Sequence, residues 1–361
     1  MKNNSNKNQY TLEDLGYNEF FDNFRKEQNL DYSNIGRVIS EHKERYIVKT
    51  LNGDFEAEIV GNLIYTAKSR ADFPAVGDWV GVAEYDDDKL LIHSVFPRKT
   101  ILERTAVGKL GEKQIIATNL DFAFIVQSID RDFSINRIER YLTICHNSKV
   151  TPIIVISKVD LISAEGLSEI KKSIEKRIKD VLVFAISNET QAGLDELKNS
   201  IEKNKTYCLL GSSGVGKSTL INTILGKSKM ETGSIGEATN RGKHVTSHRE
   251  LIILDEGGIV IDNPGMREVG IADMKDGIKL SFEDIDQLSL DCRFKNCTHI
   301  HEKNCAVLEA VKNGELDKSS YENYLKMERE KDHFESTELE KKRKGKDLAK
   351  MIKKVKKIKK K

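Results

Sequence analysis

Residues Gly211 to Thr219 read Gly-Ser-Ser-Gly-Val-Gly-Lys-Ser-Thr, directly after the apolar run Tyr207-Cys208-Leu209-Leu210 and directly before Leu220-Ile221-Asn222. The spacing is that of a phosphate-binding loop, G-x-x-x-x-G-K-[ST], with Gly211, Gly216, Lys217 and Ser218 at its fixed positions. Such a loop works only between a strand and a helix. The strand delivers the chain into a tight turn, and backbone N–H groups at the helix N-terminus then point at phosphate oxygens. This part of the chain must therefore be α/β. Ser212, Ser213, Gly214, Val215 and Thr219 complete the cradle. Lys217 supplies a mobile positive charge for the β and γ phosphates, and the Ser218 hydroxyl can ligate magnesium.

Upstream, residues 1–32 are polar and weakly patterned, with one short helix expected around Tyr10 to Leu15 or Phe20-Phe21, and they read as a loose arm. From Asn34 the pattern becomes short alternating stretches, among them Arg45-Tyr46-Ile47-Val48-Lys49 and Phe55-Glu56-Ala57-Glu58-Ile59-Val60, cut by turn signals such as Asn52-Gly53. About five strands in about 70 residues predict a small closed β-barrel over 33–110, and an OB-fold is the commonest such module that touches oligonucleotides. Trp79, the single tryptophan, reads as a barrel core residue more readily than as a base-stacking platform.

After Gly111 the runs Phe122 to Val126, Ile153 to Ile156 and Val181 to Ile186 are continuously apolar, as buried parallel strands are. Helices are expected at Arg137 to His146 and Glu165 to Lys179. Leu251 to Leu254 and Ile259 to Ile261 flank Glu256-Gly257-Gly258 as a hairpin. Open α/β sheets bind ligands at the C-terminal ends of their strands. Ser157-Lys158-Val159-Asp160, Ser187-Asn188 and Asp262-Asn263-Pro264-Gly265 stand at three such ends. At Asp160 a carboxylate can accept from both N1–H and the 2-amino group of guanine, donors that adenine lacks, which makes it the specificity residue. Lys158 would lie along the base and brace the phosphate loop. Asp262 is placed to position magnesium, and Gly265 to contact the γ-phosphate. Between them Gly233 to His248 reads as a mobile switch in which Thr246 closes on magnesium. Met266 follows Gly265, and a thioether cannot orient an attacking water, so unaided hydrolysis should be slow.

Five cysteines are an odd count, and three of them, Cys292, Cys297 and Cys305, lie close together with His299 and His301. Three thiolates and one imidazole are the ligand set of a closed structural zinc site, within a segment too small for much core of its own. Cys145 and Cys208 read as ordinary buried thiols. Helices are expected from Cys305 to Asn313 and from Ser319 to His333. The net charge of +2 hides an asymmetry: residues 341–361 hold 13 Lys or Arg and one Asp, leaving the rest of the chain at about −10. That tail reads as disordered when free and as a basic helix against RNA, or else as a solubilising tail. No apolar run reaches membrane-span length, Met1 to Leu12 has no signal-peptide core, and a soluble, cytoplasmic protein is expected.

An ordinary GTPase runs phosphate loop, switch threonine, D-x-P-G, N-K-x-D, S-A; here residues 157–160 and 187–188 precede the phosphate loop. With that order and the cysteine knuckle downstream, the chain resembles the circularly permuted, ribosome small-subunit-dependent GTPases, the RsgA or YjeQ family, over about residues 34–330. The resemblance implies an N-terminal OB-fold, a permuted G domain over 111–275 and a zinc domain over 276–338, followed by the tail 339–361. It also implies a monomer that binds GTP and GDP with Mg2+ and carries one structural Zn2+. That protein would dock on the small (30S) subunit and its rRNA, be stimulated there to hydrolyse GTP, and serve late maturation of the subunit. The family pattern favours His299 over His301 as zinc ligand and makes His244 the candidate for positioning the attacking water. Three departures stand out. Ser157 replaces the family's asparagine, losing an amide that tethers the guanine pocket. Asn188 replaces the alanine of S-A, and Val245 replaces a threonine, leaving Thr246 for magnesium. The rival class is a non-catalytic RNA-binding regulator that nucleotide only stabilises, and a further rival is an ATP-dependent enzyme.

Overall fold

The computed structural model describes residues 10–42, 45–86, 89–105, 113–130, 133–226, 249–262 and 274–335. They fall into two compact units, one drawn from the described residues up to 104 and from 113 to 262, the other from residue 105 and 274–335.

In the first unit β1 (Ile35–His42), β2 (Arg45–Thr50), β3 (Gly53–Ile59), β4 (Trp79–Asp86) and β5 (Lys89–Val95) run in the order β1-β2-β3-β5-β4, and a β1–β4 pairing closes them into a barrel. Within the barrel only β3 and β5 pair in parallel. Alternation along β2 places Tyr46 and Val48 inside with Val38, Ala57, Val80, Val82, Leu90 and Ile92. Helix α1 (Glu19–Glu27) precedes the barrel, and α2 (Gly61–Thr66) lies between β3 and β4. The loose arm expected over 1–32 is corrected for residues 10–32. Leu12, Leu15, Tyr17 and Phe21 are buried and form one cluster with Ile35, Trp79 and Phe96. Tyr17 meets Trp79 edge-on with ring centres 4.9 Å apart. Trp79 is 0% exposed, so the core reading holds and no stacking surface remains on it.

A buried ion pair fixes the loop into β4. Asp78, fully buried, receives Arg98 Nη2 at 2.7 Å and Nε at 2.9 Å, while the same guanidinium donates to the Phe73 carbonyl at 2.8 Å. Removing one partner of such a pair strands a desolvated charge. Arg98→Ala is therefore expected to cost about 3–5 kcal/mol of stability, checked by urea unfolding. A loss under about 1 kcal/mol would mean that the carboxylate finds water.

β6 (Ile101–Thr105) and β7 (Lys113–Thr118) form a two-stranded sheet of their own, which the sequence reading missed. The remaining strands are β8 (Phe122–Ser128), β9 (Thr151–Ser157), β10 (Leu182–Ala185), β11 (Thr206–Leu210), β12 (Arg249–Ile253) and β13 (Ile259–Asp262). They lie in the order β10-β9-β8-β11-β13-β12, all parallel to their neighbours except β12, which pairs with β13 as the expected hairpin. Burial of nearly every residue in β8, β9 and β11 explains their unbroken apolar runs. Helices α3 (Ile135–Asn147), α4 (Ala164–Arg177), α5 (Leu194–Asn199) and α6 (Lys217–Leu225) connect them.

Barrel and α/β sheet are one continuous sheet, because β1 also pairs with β12, Ser40 opposite Glu250 and Glu41 opposite Arg249. Arg37 stitches the same seam from inside. Fully buried, it donates to the carbonyls of Leu15 (2.5 Å), Gly77 (3.2 Å) and Asn119 (3.3 Å), and burial lowers its pKa to about 10, still charged at neutral pH. The second unit is helical, with α7 (Lys275–Ser281), α8 (Glu283–Ser289), α9 (Ala306–Asn313) and α10 (Lys318–Glu335). Among the described residues no helix is long and apolar enough to cross a membrane.

Candidate nucleotide and metal sites

The chain lays down β8, β9 and β10 outward in that order, then returns to place β11 on the other flank of β8. The order reverses between β8 and β11, and a crevice opens beyond the strand ends at such a point. The loop that leaves β11 there is residues 211–216, and α6 starts at Lys217. Gly211 has φ +151°, and a Cβ on it would sit 2.3 Å from the Val126 carbonyl oxygen, so only glycine lets the loop pass this close to β8. Gly214 and Gly216 also adopt positive φ, Ser213 and Gly214 form the exposed tip, and Val215 is buried beneath them. Ser218 and Thr219 lie in the first turn of α6, half-buried.

Lys217 folds back over this loop, its Nζ donating to the carbonyls of Gly211 (2.8 Å) and Ser212 (2.6 Å). Burial pulls its pKa down to about 8, against the nearby Asp262 carboxylate, which favours the charged form. Asp262 ends β13 and is itself buried. Tyr141 of α3, a residue the sequence reading passed over, is hydrogen-bonded to the Ser212 side chain.

The β9 and β10 loops reach the same edge. Ser157, fully buried, donates its hydroxyl to the Val215 carbonyl at 2.6 Å. Where the family's amide is missing, a serine contact to the phosphate loop is present: the strand end lies close enough for a hydroxyl to span the gap. Val159 donates its N–H to the Ile186 carbonyl at 3.2 Å, locking the short turn Val159–Leu161 that carries Asp160. Ser187, also fully buried, donates its hydroxyl to Asp160 Oδ1 at 2.5 Å, so the carboxylate is held from the neighbouring strand end while the residue stays exposed. Asn188 lies against the phosphate loop, its Nδ2 3.2 Å from where a Gly216 Cβ would be. Its Oδ1 is buried without a partner among the described residues, a polar group that suits a cleft for a polar ligand.

Lys158 differs from expectation. Its ammonium pairs with Asp130 Oδ2 at 2.7 Å rather than bracing the phosphate loop. Asp130 is a site residue that the sequence reading missed, although it stands just past the C-terminal end of β8, the strand beside the phosphate-loop strand. His244, Thr246, Gly265 and Met266 lie outside the described residues.

In the helical unit Cys292, Cys297, His299 and Cys305 bring their ligand atoms within 4.8 Å of one another, and His301 is exposed outside the group. Zinc–sulfur bonds of about 2.3 Å and zinc–nitrogen bonds of about 2.0 Å in a tetrahedron separate two sulfurs by about 3.8 Å and a sulfur and nitrogen by about 3.5 Å. Cys292 and Cys305 sulfurs are 3.8 Å apart, and His299 Nδ1 lies 3.6 Å and 3.4 Å from them. The donor set and its spacing are thus compatible with zinc. Outer contacts orient the ligands: Tyr321 donates its hydroxyl to the His299 carbonyl at 2.7 Å, and Cys305 Sγ caps α9 by accepting from Leu308 N–H. Burial pushes the Cys305 thiol up to about 12, a proton that metal binding must expel.

A phosphate loop at the switch point, with purine-type loops encoded ahead of it and converging on the same strand ends, defines a circularly permuted P-loop GTPase fold. Comparison with known proteins agrees. The family model described as RsgA GTPase matches residues 95–272. An ABC transporter model also matches 194–357, a range that includes the phosphate loop. The small ribosomal subunit biogenesis GTPase RsgA 1 of Bacteroides thetaiotaomicron is 39% identical over 92% of this chain and 94% of its own. The protein called RsgA 2 in Listeria monocytogenes is 41% identical over 89% of each. The crystal structure of YjeQ from Thermotoga maritima superposes with a TM-score of 0.60 at 27% identity, covering 81% of this chain and 96% of that one. That of YloQ, a circularly permuted GTPase, shares the fold with a TM-score of 0.59 over 83% of this chain and 95% of its own. The chain belongs to the RsgA GTPase family.

Proposed function

We propose that the protein is a cytoplasmic GTPase that docks on the small ribosomal subunit and assists its late maturation, hydrolysing GTP slowly alone and faster on the subunit. The observation that carries the nucleotide half of this reading is the meeting of three chain segments at one sheet edge: Ser157 on Val215, Ser187 on Asp160, and Lys217 over its own loop. The small-subunit biogenesis role named for the relatives carries the ribosomal half.

In this reading the phosphates lie in the cradle of residues 211–219, Lys217 neutralises them, Ser218, Thr246 and Asp262 hold Mg2+, and Gly265 meets the γ-phosphate. Asp160 selects guanine, with Ser157, Lys158, Val159 and Ser187 shaping the pocket. His244 positions the attacking water once the subunit orders its loop. One Zn2+ on Cys292, Cys297, His299 and Cys305 holds the domain over 276–338 together. The barrel, whose strands run from Ile35 to Val95, is of OB type, as its β1-β2-β3-β5-β4 closure with parallel β3 and β5 supports, and it contacts rRNA together with the basic tail 339–361. A monomer suffices for all of these roles.

Phosphate release from GTP, measured with and without purified 30S subunits, tests this. The expected result is slow release alone and at least about tenfold faster release with subunits. No stimulation would favour a non-catalytic RNA-binding regulator, the reading that Met266 supports.

The depressed Lys217 pKa makes a second prediction. Phosphate oxygens stabilise the ammonium, so the bound-state pKa lies above the free value of about 8. Below pH 8 the lysine is charged in both states and affinity is flat. Above it, binding must take up a proton, and GTP affinity should fall toward tenfold per pH unit. Equilibrium titrations at pH 7, 8 and 9 check this, and a flat profile would place Lys217 away from the phosphates.

A further inference from the structure

We propose that Asp130 is a positioning residue of the nucleotide site, acting by holding Lys158 where its side chain flanks the purine. The inference rests on the guanine-nucleotide reading above. Asp130 is anchored twice. Its Oδ1 accepts from the Ser128 hydroxyl at 2.8 Å, and its Oδ2 pairs with the Lys158 ammonium at 2.7 Å. Ser128 is 1% exposed and lies opposite Ser157 in the parallel β8–β9 register, so both partners of the aspartate are fixed to the sheet edge from which the purine loops emerge.

The lysine is held at its other end as well. Its backbone has φ +61°, the left-handed region, and it opens the turn Val159–Leu161 on which Asp160 sits. A lysine side chain has four rotatable bonds, and ordering it on ligand binding costs affinity unless it is ordered beforehand. The ion pair supplies that order in the protein without nucleotide. As a stability element it is minor, because both side chains are about a third exposed, at 28% and 33%. Its effect belongs to binding, where a lysine placed along one wall meets the base without searching for it. The lysine meets the base and not the phosphates, so it contributes equally to GDP and GTP, and it leaves the choice of guanine to Asp160.

The test is equilibrium titration of fluorescent GDP and GTP analogues into full-length wild type, Asp130→Ala, Asp130→Asn, Lys158→Ala and the double variant Asp130→Ala with Lys158→Ala. Asp130→Ala should raise Kd for both nucleotides about tenfold and leave the GTP-over-ATP ratio unchanged. Asp130→Asn, which keeps an acceptor, should recover part of the loss. The double variant should bind no more weakly than Lys158→Ala, since the aspartate acts through the lysine. Melting of the nucleotide-free protein should shift by less than about 2 °C, whereas a merely structural role would lower it and spare Kd. Steady-state turnover should show the loss in KM more than in kcat. Wild-type binding of guanine nucleotides with equal binding by Asp130→Ala, or additive losses in the double variant, would overturn the inference alone. Failure of the wild type itself to bind GDP or GTP would overturn the nucleotide reading beneath it.

Discussion

Asp160→Asn is expected to weaken GTP binding by at least about a hundredfold and to create affinity for xanthosine triphosphate. In the proposed site the carboxylate accepts from two donors on guanine, each such charge-assisted bond being worth about 1.5–3 kcal/mol, and 1.4 kcal/mol is a factor of ten. An amide keeps one acceptor and turns the other position into a donor. That clashes with the 2-amino group of guanine and matches the 2-carbonyl of xanthine. The geometry supports so large an effect because the side chain is not free to turn away: Ser187, buried and donating at 2.5 Å, fixes one carboxylate oxygen, and the turn beneath is tied to Ile186. Competition titrations with GTP, XTP and ATP measure it. Unchanged GTP affinity would place the base elsewhere, and equal binding of ATP by the wild type would support an ATP-dependent enzyme.

With the proposed zinc on the cysteine cluster, Cys305→Ser is expected to remove the metal and unfold the helical unit around it. A structural zinc site in a small domain contributes on the order of 10–16 kcal/mol of apparent binding free energy to folding, as much as the whole net stability of an ordinary domain. Cys305 is doubly placed, as one of the four clustered ligands and as the cap of α9, and it is 4% exposed. Metal analysis should fall from one zinc per chain to none, and limited proteolysis should cut within 274–335. His301→Ala should leave both unchanged, since that side chain is outside the cluster. A Cys305→Ser protein that keeps zinc and resists protease would show that the ligand set differs.

The parts legible in the sequence are those whose chemistry is local. The phosphate loop, the cysteine knuckle and the Glu256-Gly257-Gly258 hairpin each depend on residues within a few positions of one another, and strands β8, β9 and β11 announce their burial by unbroken apolar runs. What escaped depends on contacts between distant segments. Leu12, Leu15, Tyr17 and Phe21 straddle a short turn and the start of α1, so no single period links them, and only the barrel end capped by Trp79 makes them core. Arg37 sits between apolar neighbours in β1 as an outward arginine would, yet its acceptors are carbonyls 22, 40 and 82 positions away. The contact from Ser157 to Val215 could not be read because the distance from β9 to the phosphate loop is set by strand packing, not by residue type. Asp130 is one acidic residue in a loop until β8 and β9 are put in register and Lys158 arrives beside it.

A structure of the protein with magnesium and a non-hydrolysable GTP analogue tests the central claim most directly. The account predicts one nucleotide spanning the crevice beyond β8 and β11, its base hydrogen-bonded to the Asp160 carboxylate and its β and γ phosphates within reach of Lys217 Nζ. Density for the nucleotide away from either side chain, or for two partial ligands at separate places, would contradict it.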